Sequence, residues 1–222
     1  MPEAVIVSAA RTPIGRANKG SMTEFRPDDL AAFIVRTALD KIPALDPSTI
    51  DDHYLGCGLP GGESGNNMAR VVNVLNGHDD VPGATITRYC SSSVQTTRMA
   101  FHAIKAGEGD VFISSGVETV SRFMKGTSDH WPDTKNPVFA DAEARTATTA
   151  EGGVDWHDPR EDGQVPDVYI AMGQTAENVA RLRGLRRQEL DEFGVRSQNL
   201  AEKAIADGFW QREITPVTTP SG

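Results

Sequence analysis

Residues 84–93 read Ala-Thr-Ile-Thr-Arg-Tyr-Cys-Ser-Ser-Ser, and this stretch decides both the fold and the chemistry that the chain suggests. Its first four residues form a β-type run, and a helical pattern follows the three serines. A strand that runs into a helix in this way puts Cys90 at a helix N-terminus. Free backbone N–H groups and partial positive charge at a helix start favour the thiolate, which is the nucleophilic form of cysteine. Cys90 is therefore a candidate nucleophile, and a small buried thiol is the alternative.

Strand and helix patterns alternate on both sides of this stretch. Helical patterns follow Asp28, span residues 66–76 and run from the serines to about Gly107. The other strand patterns lie at residues 5–7, 54–58 and 111–113. Alternation of this kind predicts an α/β fold, with a mostly parallel sheet that carries helices on both faces.

The composition changes after about Arg122. Residues 140–167 are rich in Ala, Thr, Gly, Asp and Glu without an apolar period, so we expect irregular surface structure there. Helical patterns resume near Gly173 and from Arg187 to Asp207, and an extended segment follows at 213–217. The predicted division is an α/β core over residues 1–121 and a mainly helical, incomplete subdomain over residues 122–222.

Composition and charge argue against several classes of protein. The 222 residues are 38% hydrophobic, and no apolar run is long enough to span a bilayer. The N-terminus has neither the basic stretch nor the apolar region of a secretory signal, so we expect a cytoplasmic protein without a membrane association. A net charge of −9 argues against a nucleic-acid partner. The two cysteines, Cys57 and Cys90, lack metal-ligand spacing, and the histidines are scattered, so no metal is expected.

Three further patterns have a structural interpretation that we prefer. Gly56, Gly58 and Gly61 fit the dinucleotide fingerprint, but several residues separate them from the next helix, which favours a glycine-rich connecting loop. The arginines of residues 181–187 could hold a phosphorylated ligand, although a solvated helix face is the simpler interpretation. Serines 91–93 are interpreted as helix-capping residues rather than nucleophiles.

Five motifs stand in order along nearly the whole chain: Val7–Gly15, Leu59–Glu63 with Asn67 and Ala69-Arg70, Cys90–Ser92, Gly116–Ser121, and Met172–Ala180. Together they resemble the thiolase family, the acyl-CoA acyltransferases that make or cleave β-ketoacyl-CoA. The resemblance implies a thiolase-like core sheet with an inserted, mainly helical loop subdomain.

The resemblance also implies a chemistry for two residues. Cys90 would accept an acyl group from a thioester and pass it to the α-carbon of a second acyl-CoA or back to CoA. Met172 matches a residue that lines the acyl pocket, and a flexible, gap-filling core methionine is the alternative. Coenzyme A thioesters would be the substrates, with no tightly bound cofactor. Because thiolases are commonly dimers or tetramers, a homo-oligomer is expected.

The chain departs from the family pattern at three positions near these motifs. Ser93 stands where family members often have Gly, and Thr87 stands where they often have Asn. Ala171 replaces the histidine that biosynthetic members commonly place before Met172. The last change suggests acyl chains that are longer or bulkier than acetyl.

Length is the largest departure. A thiolase is built from two similar halves, and no residue of this chain matches the catalytic histidine or the second cysteine of the other half. We therefore expect an N-terminal half, with the C-terminal half absent and little activity on its own. The rival hypothesis is a noncatalytic thiolase-like assembly subunit, which the changes at Ser93 and Ala171 would support. A cysteine hydrolase is a remote third possibility.

Overall fold

A parallel sheet of three strands lies at the centre of the region that carries Cys90. The computed structural model describes residues 2–125, 134–152 and 155–220. The strands are β1 (Asp52–Gly56), β2 (Gly83–Ile86) and β3 (Phe112–Gly116), in the order β2-β1-β3. Both pairings are parallel, with His53 opposite Gly83 on one side and Ile113 on the other.

Three helices cover the two faces of this sheet. They are α1 (Pro27–Asp40), α2 (Met68–Leu75) and α3 (Ser92–Ala106). Alternate residues of β1 point to opposite faces. Leu55 packs with α1 and α2, whereas Gly56 approaches the first turn of α3. The predicted parallel sheet with helices on both faces is therefore confirmed.

The apolar core lies between β1 and the helix pair α1 and α2. Leu55, Met68 and Val72 are completely or almost completely buried, and Val35 of α1 closes the cluster. Helix α1 begins with Pro27, whose fixed φ suits the first helical position, and acidic residues in the first turn suit the helix dipole. Burial of its apolar side then docks α1 on the sheet.

The remaining helices are short or exposed. They are α4 (Ala140–Ala150), α5 (Met172–Arg183), α6 (Arg187–Ala206) and α7 (Phe209–Glu213). The expectation of irregular structure over residues 140–167 is wrong for its first part, because α4 occupies it. Only Ala142 of this helix is buried, so no apolar stripe marks it, and the high helix propensity of its alanines is the signal that periodicity overlooked.

The predicted strand at residues 5–7 does not form. A strand needs a partner for its backbone groups, and these residues pair with no strand of the described structure; their side chains are exposed. Pairing begins only at Arg11, which forms a single parallel bridge with Ile214.

Contacts along the chain define two compact units, each described by itself. The first comprises Met1–His130 with Phe209–Gly222, and the second is Trp131–Gly208. The bridge between Arg11 and Ile214 explains why the last residues group with the first unit. The sequence-based division into 1–121 and 122–222 assigns those residues differently, and it stays a prediction of where the loop subdomain begins.

Candidate active site

Cys90 lies between β2 and α3, at the end of the sheet where the carboxyl ends of the parallel strands meet. It is the middle residue of a 3₁₀ turn, Tyr89–Ser91, and α3 begins two residues later at Ser92. The thiol is free and exposed. The alternative of a small buried thiol at position 90 is therefore wrong.

The turn that carries Cys90 is held in an unusual backbone conformation. Tyr89 has a φ of 47°, in the left-handed region that residues other than glycine rarely adopt. The Ser92 hydroxyl donates to the Tyr89 carbonyl at 2.7 Å and accepts from the Arg88 N–H at 2.8 Å. Ser92 is buried, so this small loop of hydrogen bonds is fixed by the packing of α3. Such local strain is often found next to reactive groups.

The serines do not cap α3 as the sequence predicts. Ser91 occupies the N-cap position without a side-chain capping bond. Its hydroxyl donates to the Arg88 carbonyl instead, so it faces back into the turn. The hydroxyls of Ser91 and Ser92 therefore shape the turn before the helix rather than bind its first N–H groups.

Two residues that depart from the family pattern have clear structural positions. The Ser93 hydroxyl points at β3, where a Cβ added to Gly116 would lie only 2.0 Å from its oxygen. The Thr87 hydroxyl donates to the Gly58 carbonyl at 3.0 Å. Both side chains are thus used in helix–sheet or loop contacts within the first unit.

Cys57 is the opposite of Cys90 in its surroundings. It directly follows β1, is almost completely buried and belongs to the apolar core. Burial, with a smaller contribution from the Glu118 carboxylate, raises the pKa of the Cys57 thiol to about 11. Because the thiolate is the reactive form, Cys57 is a structural thiol.

An ion pair fastens the glycine-rich loop after β1. Glu63 of this loop accepts two hydrogen bonds from the Arg122 guanidinium, at 2.6 and 2.8 Å. The Arg122 side chain is largely buried, and the hydrogen bond to Glu63 raises the pKa of its guanidinium against the opposing effect of burial. The loop includes a 3₁₀ turn, Gly62–Ser64, before α2 begins at Met68, so it does not run directly into a helix as a dinucleotide-binding turn does.

Met172 is the first residue of α5, in the second unit. Its side chain is 70% exposed, which does not fit a gap-filling core methionine. Ala171 precedes it as the N-cap residue, without a side-chain capping bond.

The arginines of residues 181–187 include two that form ion pairs within α6 or at its start. Arg186 pairs with Glu189, and Arg187 pairs with Asp191, as expected for a solvated helix face.

The described histidines that make side-chain hydrogen bonds make them with residues other than Cys90. His53 is buried and bonds Asn73 and Ser115, at 2.7 and 2.6 Å, while His157 bonds Asp162 in the second unit. Within residues 2–125, 134–152 and 155–220, no group of three or more His, Cys, Asp or Glu side chains could hold a metal ion. In the same residues, no helix is long and apolar enough to cross a membrane.

Glu118 is the residue that sequence reasoning named only as part of a motif. It follows β3 and accepts a hydrogen bond from the Gly58 N–H at 2.7 Å, sixty residues away along the chain. Polar residues just beyond the carboxyl ends of parallel strands are common ligand-site residues in α/β folds. That rule could have singled out Glu118, at the same end of the sheet as Cys90, from the strand pattern alone.

Comparison with known proteins agrees with this architecture. The family profile described as "Thiolase, N-terminal domain" matches residues 4–222. The chain is 38% identical to the 3-ketoacyl-CoA thiolase of Bacillus subtilis (strain 168) over 98% of its own length and 49% of that protein's. It is 39% identical to the 3-oxoadipyl-CoA/3-oxo-5,6-dehydrosuberyl-CoA thiolase of Escherichia coli (strain K12), again over 98% of its length and 52% of the relative's.

A solved structure gives the same result. The crystal structure of the Bacillus anthracis acetyl-CoA acetyltransferase superposes with a TM-score of 0.70 and 30% identity, over 96% of this chain and 50% of that one. The chain thus spans about half the length of the relatives it matches. Sequence profile, relatives and structure agree, and the chain belongs to the thiolase family.

Proposed function

We propose that Cys90 is the acyl-accepting nucleophile of a thiolase-type acyl-CoA C-acyltransferase. The observation that carries this proposal is the exposed Cys90 thiol in the turn that starts α3. The Cys90 sulfur stands immediately before the first turn of α3, and its exposure leaves it open to a thioester. The buried Cys57 offers neither property.

The proposed first half-reaction is transfer of an acyl group to sulfur. The Cys90 thiolate attacks the thioester carbonyl carbon, and the electron pair of the C=O bond moves to oxygen. When the carbonyl re-forms, the bond to the CoA sulfur breaks and the CoA thiolate leaves. The product is an acyl-cysteine thioester, which divides one difficult transfer into two easier steps.

The second half-reaction needs groups that move protons. A base removes a proton from the α-carbon of a second acyl-CoA, that carbon attacks the acyl-cysteine, and the Cys90 thiolate is released with a β-ketoacyl-CoA. In the reverse direction the Cys90 thiolate attacks the β-carbonyl of a β-ketoacyl-CoA, the bond between the α- and β-carbons breaks, and the α-carbon takes up a proton as an acyl-CoA leaves. The thiolate of CoA then attacks the acyl-cysteine and releases Cys90. We propose that these proton-moving groups belong to the part of a thiolase that residues 1–222 do not span, so this chain alone performs at most the first step.

Met172 is the residue that we assign to acyl-chain binding. It is exposed at the start of α5, and Ala171 before it leaves more room than the histidine common in biosynthetic members. The name of the Escherichia coli relative includes 3-oxoadipyl-CoA, whose acyl group is longer than acetyl. We therefore favour acyl chains longer or bulkier than acetyl for this chain.

The remaining properties that we assign follow from the family. We propose a cytoplasmic homo-oligomer, a dimer or a tetramer, that uses coenzyme A thioesters as substrates and holds no tightly bound cofactor. A net charge of −9 argues against a nucleic-acid partner.

Mass spectrometry of the acylated chain tests the assignment of Cys90. We expect incubation with acetyl-CoA, or with a longer acyl-CoA, to leave an acyl group on the peptide that contains Cys90. The peptide that contains Cys57 is an internal control, because its buried thiol should stay unmodified. A Cys90→Ala variant should lose the adduct entirely. If wild-type Cys90 stays unmodified with every acyl-CoA, the enzyme assignment is wrong.

The alternative of a noncatalytic assembly subunit loses one of its two arguments in the structure. The Ser93 hydroxyl lies in the contact between α3 and β3, where it fills the space beside Gly116. Its presence is therefore compatible with a reactive Cys90. Hydrolysis of acyl-CoA without dependence on a CoA acceptor would instead favour the cysteine hydrolase.

A further inference from the structure

Glu118 connects the residues that follow β3 and β1, at the carboxyl end of the sheet, where Cys90 also lies. One carboxylate oxygen accepts from the Gly58 N–H at 2.7 Å, and the other lies 3.8 Å from the Cys57 sulfur, which donates to it. A carboxylate that accepts from a backbone N–H forms one of the stronger hydrogen bonds available to a protein. Glu118 therefore fixes the first two residues after β1.

Gly58 and its neighbour Cys57 also form hydrogen bonds with the segment that leads from β2 to Cys90. Its carbonyl accepts from the Thr87 hydroxyl at 3.0 Å, and the neighbouring Cys57 N–H donates to the Ile86 carbonyl at 3.0 Å. Thr87 stands three residues before Cys90, between the end of β2 and the Tyr89–Ser91 turn. The two backbone groups of Gly58 are thus held from opposite sides, by Glu118 and by Thr87.

The packing around Gly58 is close, so a displacement of Glu118 would also displace the residues next to Cys90. A Cβ added to Gly58 would lie 2.7 Å from the Glu118 carboxylate and 3.5 Å from the carbonyl carbon of Tyr89, the residue before Cys90. Gly58 therefore packs against both the Glu118 carboxylate and the Tyr89–Ser91 turn. A shift of the loop after β1 would change its contact with Tyr89.

We propose that Glu118 is a positioning residue for Cys90, acting through Gly58 and Thr87. It holds the loop after β1 against the Tyr89–Ser91 turn and so keeps the Cys90 sulfur at the start of α3. The catalytic meaning of this role rests on the proposed function, but the positioning itself does not. Displacements of about 1 Å can slow a reaction by as much as a hundredfold, so such a support matters for reactivity.

Alkylation of Cys90 by iodoacetamide, followed peptide by peptide, tests the positioning without any acyl-CoA. We expect Glu118→Ala to slow alkylation of Cys90 by about tenfold, because the sulfur is no longer held in one position before α3. Glu118→Gln should recover the rate to within about threefold, since its carbonyl oxygen can still accept from the Gly58 N–H. Thr87→Val, which removes the second link, should also slow the reaction.

Asp51→Ala is the matched control. The Asp51 carboxylate also accepts from backbone N–H groups near β3, those of Asp110 and Val111, but at the opposite end of the sheet. We expect this variant to lose stability and to leave the Cys90 alkylation rate unchanged. Thermal unfolding of every variant shows whether it is folded at the temperature of the assay.

The outcomes separate this proposal from the proposed function. Wild-type alkylation rates in folded Glu118→Ala, or rates equally slow in Glu118→Gln, overturn the positioning role. If Glu118→Ala does not fold, a wild-type rate in Thr87→Val overturns it instead. Failure of acyl-CoA to modify wild-type Cys90 overturns the proposed function alone, because the alkylation series needs no acyl transfer.

Discussion

The two compact units of the chain are stabilised in different ways. In the first, Leu55, Met68 and Val72 pack into one apolar cluster between the sheet and two helices. In the second, the longest helix, α6, contributes no buried residue, and apolar side chains such as Phe193 and Leu200 lie exposed. A largely buried carboxylate of the second unit, that of Asp167, is instead bound by Arg145 and Trp156.

This difference follows from the secondary structure that each unit contains. A parallel sheet has two faces, and the helices that cross between its strands cover them, so an α/β segment makes its own core. A few helices joined by long irregular segments bury little unless something else covers them. Stability of the first unit should therefore depend on apolar packing, and that of the second on a few polar contacts.

The largest expected loss of stability comes from removing a buried apolar side chain of the first unit. Leu55→Ala should cost about 2–5 kcal/mol of unfolding free energy, because the side chain is completely buried and its loss leaves a cavity. Leu200→Ala, on the exposed side of α6, is the matched control and should change stability by less than about 0.5 kcal/mol. Urea unfolding measures both. Equal losses in the two variants would contradict the contrast between the units.

A smaller loss is expected from the polar contact of the second unit. Asp167→Ala should cost about 2 kcal/mol, since it removes charge-assisted bonds of 2.9 Å to both Arg145 and Trp156. Asp207→Ala, which removes an exposed pair with Lys203 on the same unit, should have little effect. Tryptophan fluorescence during unfolding reports the result. If Asp207→Ala were the more damaging change, burial would not be what gives Asp167 its importance.

The smallest effect is a pH dependence confined to the first unit. Burial lowers the pKa of His53, against the opposing effect of the hydrogen bond that its ring donates to Asn73. The folded state thus favours the neutral ring, and the unfolded chain gains its proton first, at about pH 6.5. Stability should be complete above that value and fall as pH drops below it, by at most about 1.4 kcal/mol per pH unit.

Unfolding of His53→Gln between about pH 7.5 and 5 measures this contribution. The variant should show a shallower loss of stability with acid than the wild type does. His157→Gln is the control, because that ring is exposed and lies in the second unit. An unchanged slope in His53→Gln would remove His53 as the source of the acid sensitivity.

Local patterns were sufficient for most of the fold. The run that ends in Cys90 and the apolar periods of α1, α2 and α3 predicted the order of elements in the first unit. They failed where pairing or burial decides the outcome. Residues 5–7 have strand-type side chains but no strand partner, and α4 forms from alanine-rich sequence without an apolar face.

The candidate site was only partly visible in the sequence. Cys90 stands out because its position at a helix start is a local property. The contact between Glu118 and Gly58 joins residues sixty positions apart, and no spacing rule reports such a pair. The left-handed conformation of Tyr89 was equally hidden, because tyrosine gives no sign of a positive φ.

The contact of Ser93 with Gly116 has a consequence for how thiolase sequences vary. The space between α3 and β3 holds one small side chain, and here Ser93 occupies it. With serine at this position an alanine in place of Gly116 would collide with the hydroxyl. With glycine in place of Ser93 the tight contact that is left for that alanine is the Gly56 carbonyl oxygen, at 3.2 Å. The two positions should therefore vary as a linked pair, and a change at one of them is read correctly only together with the residue at the other.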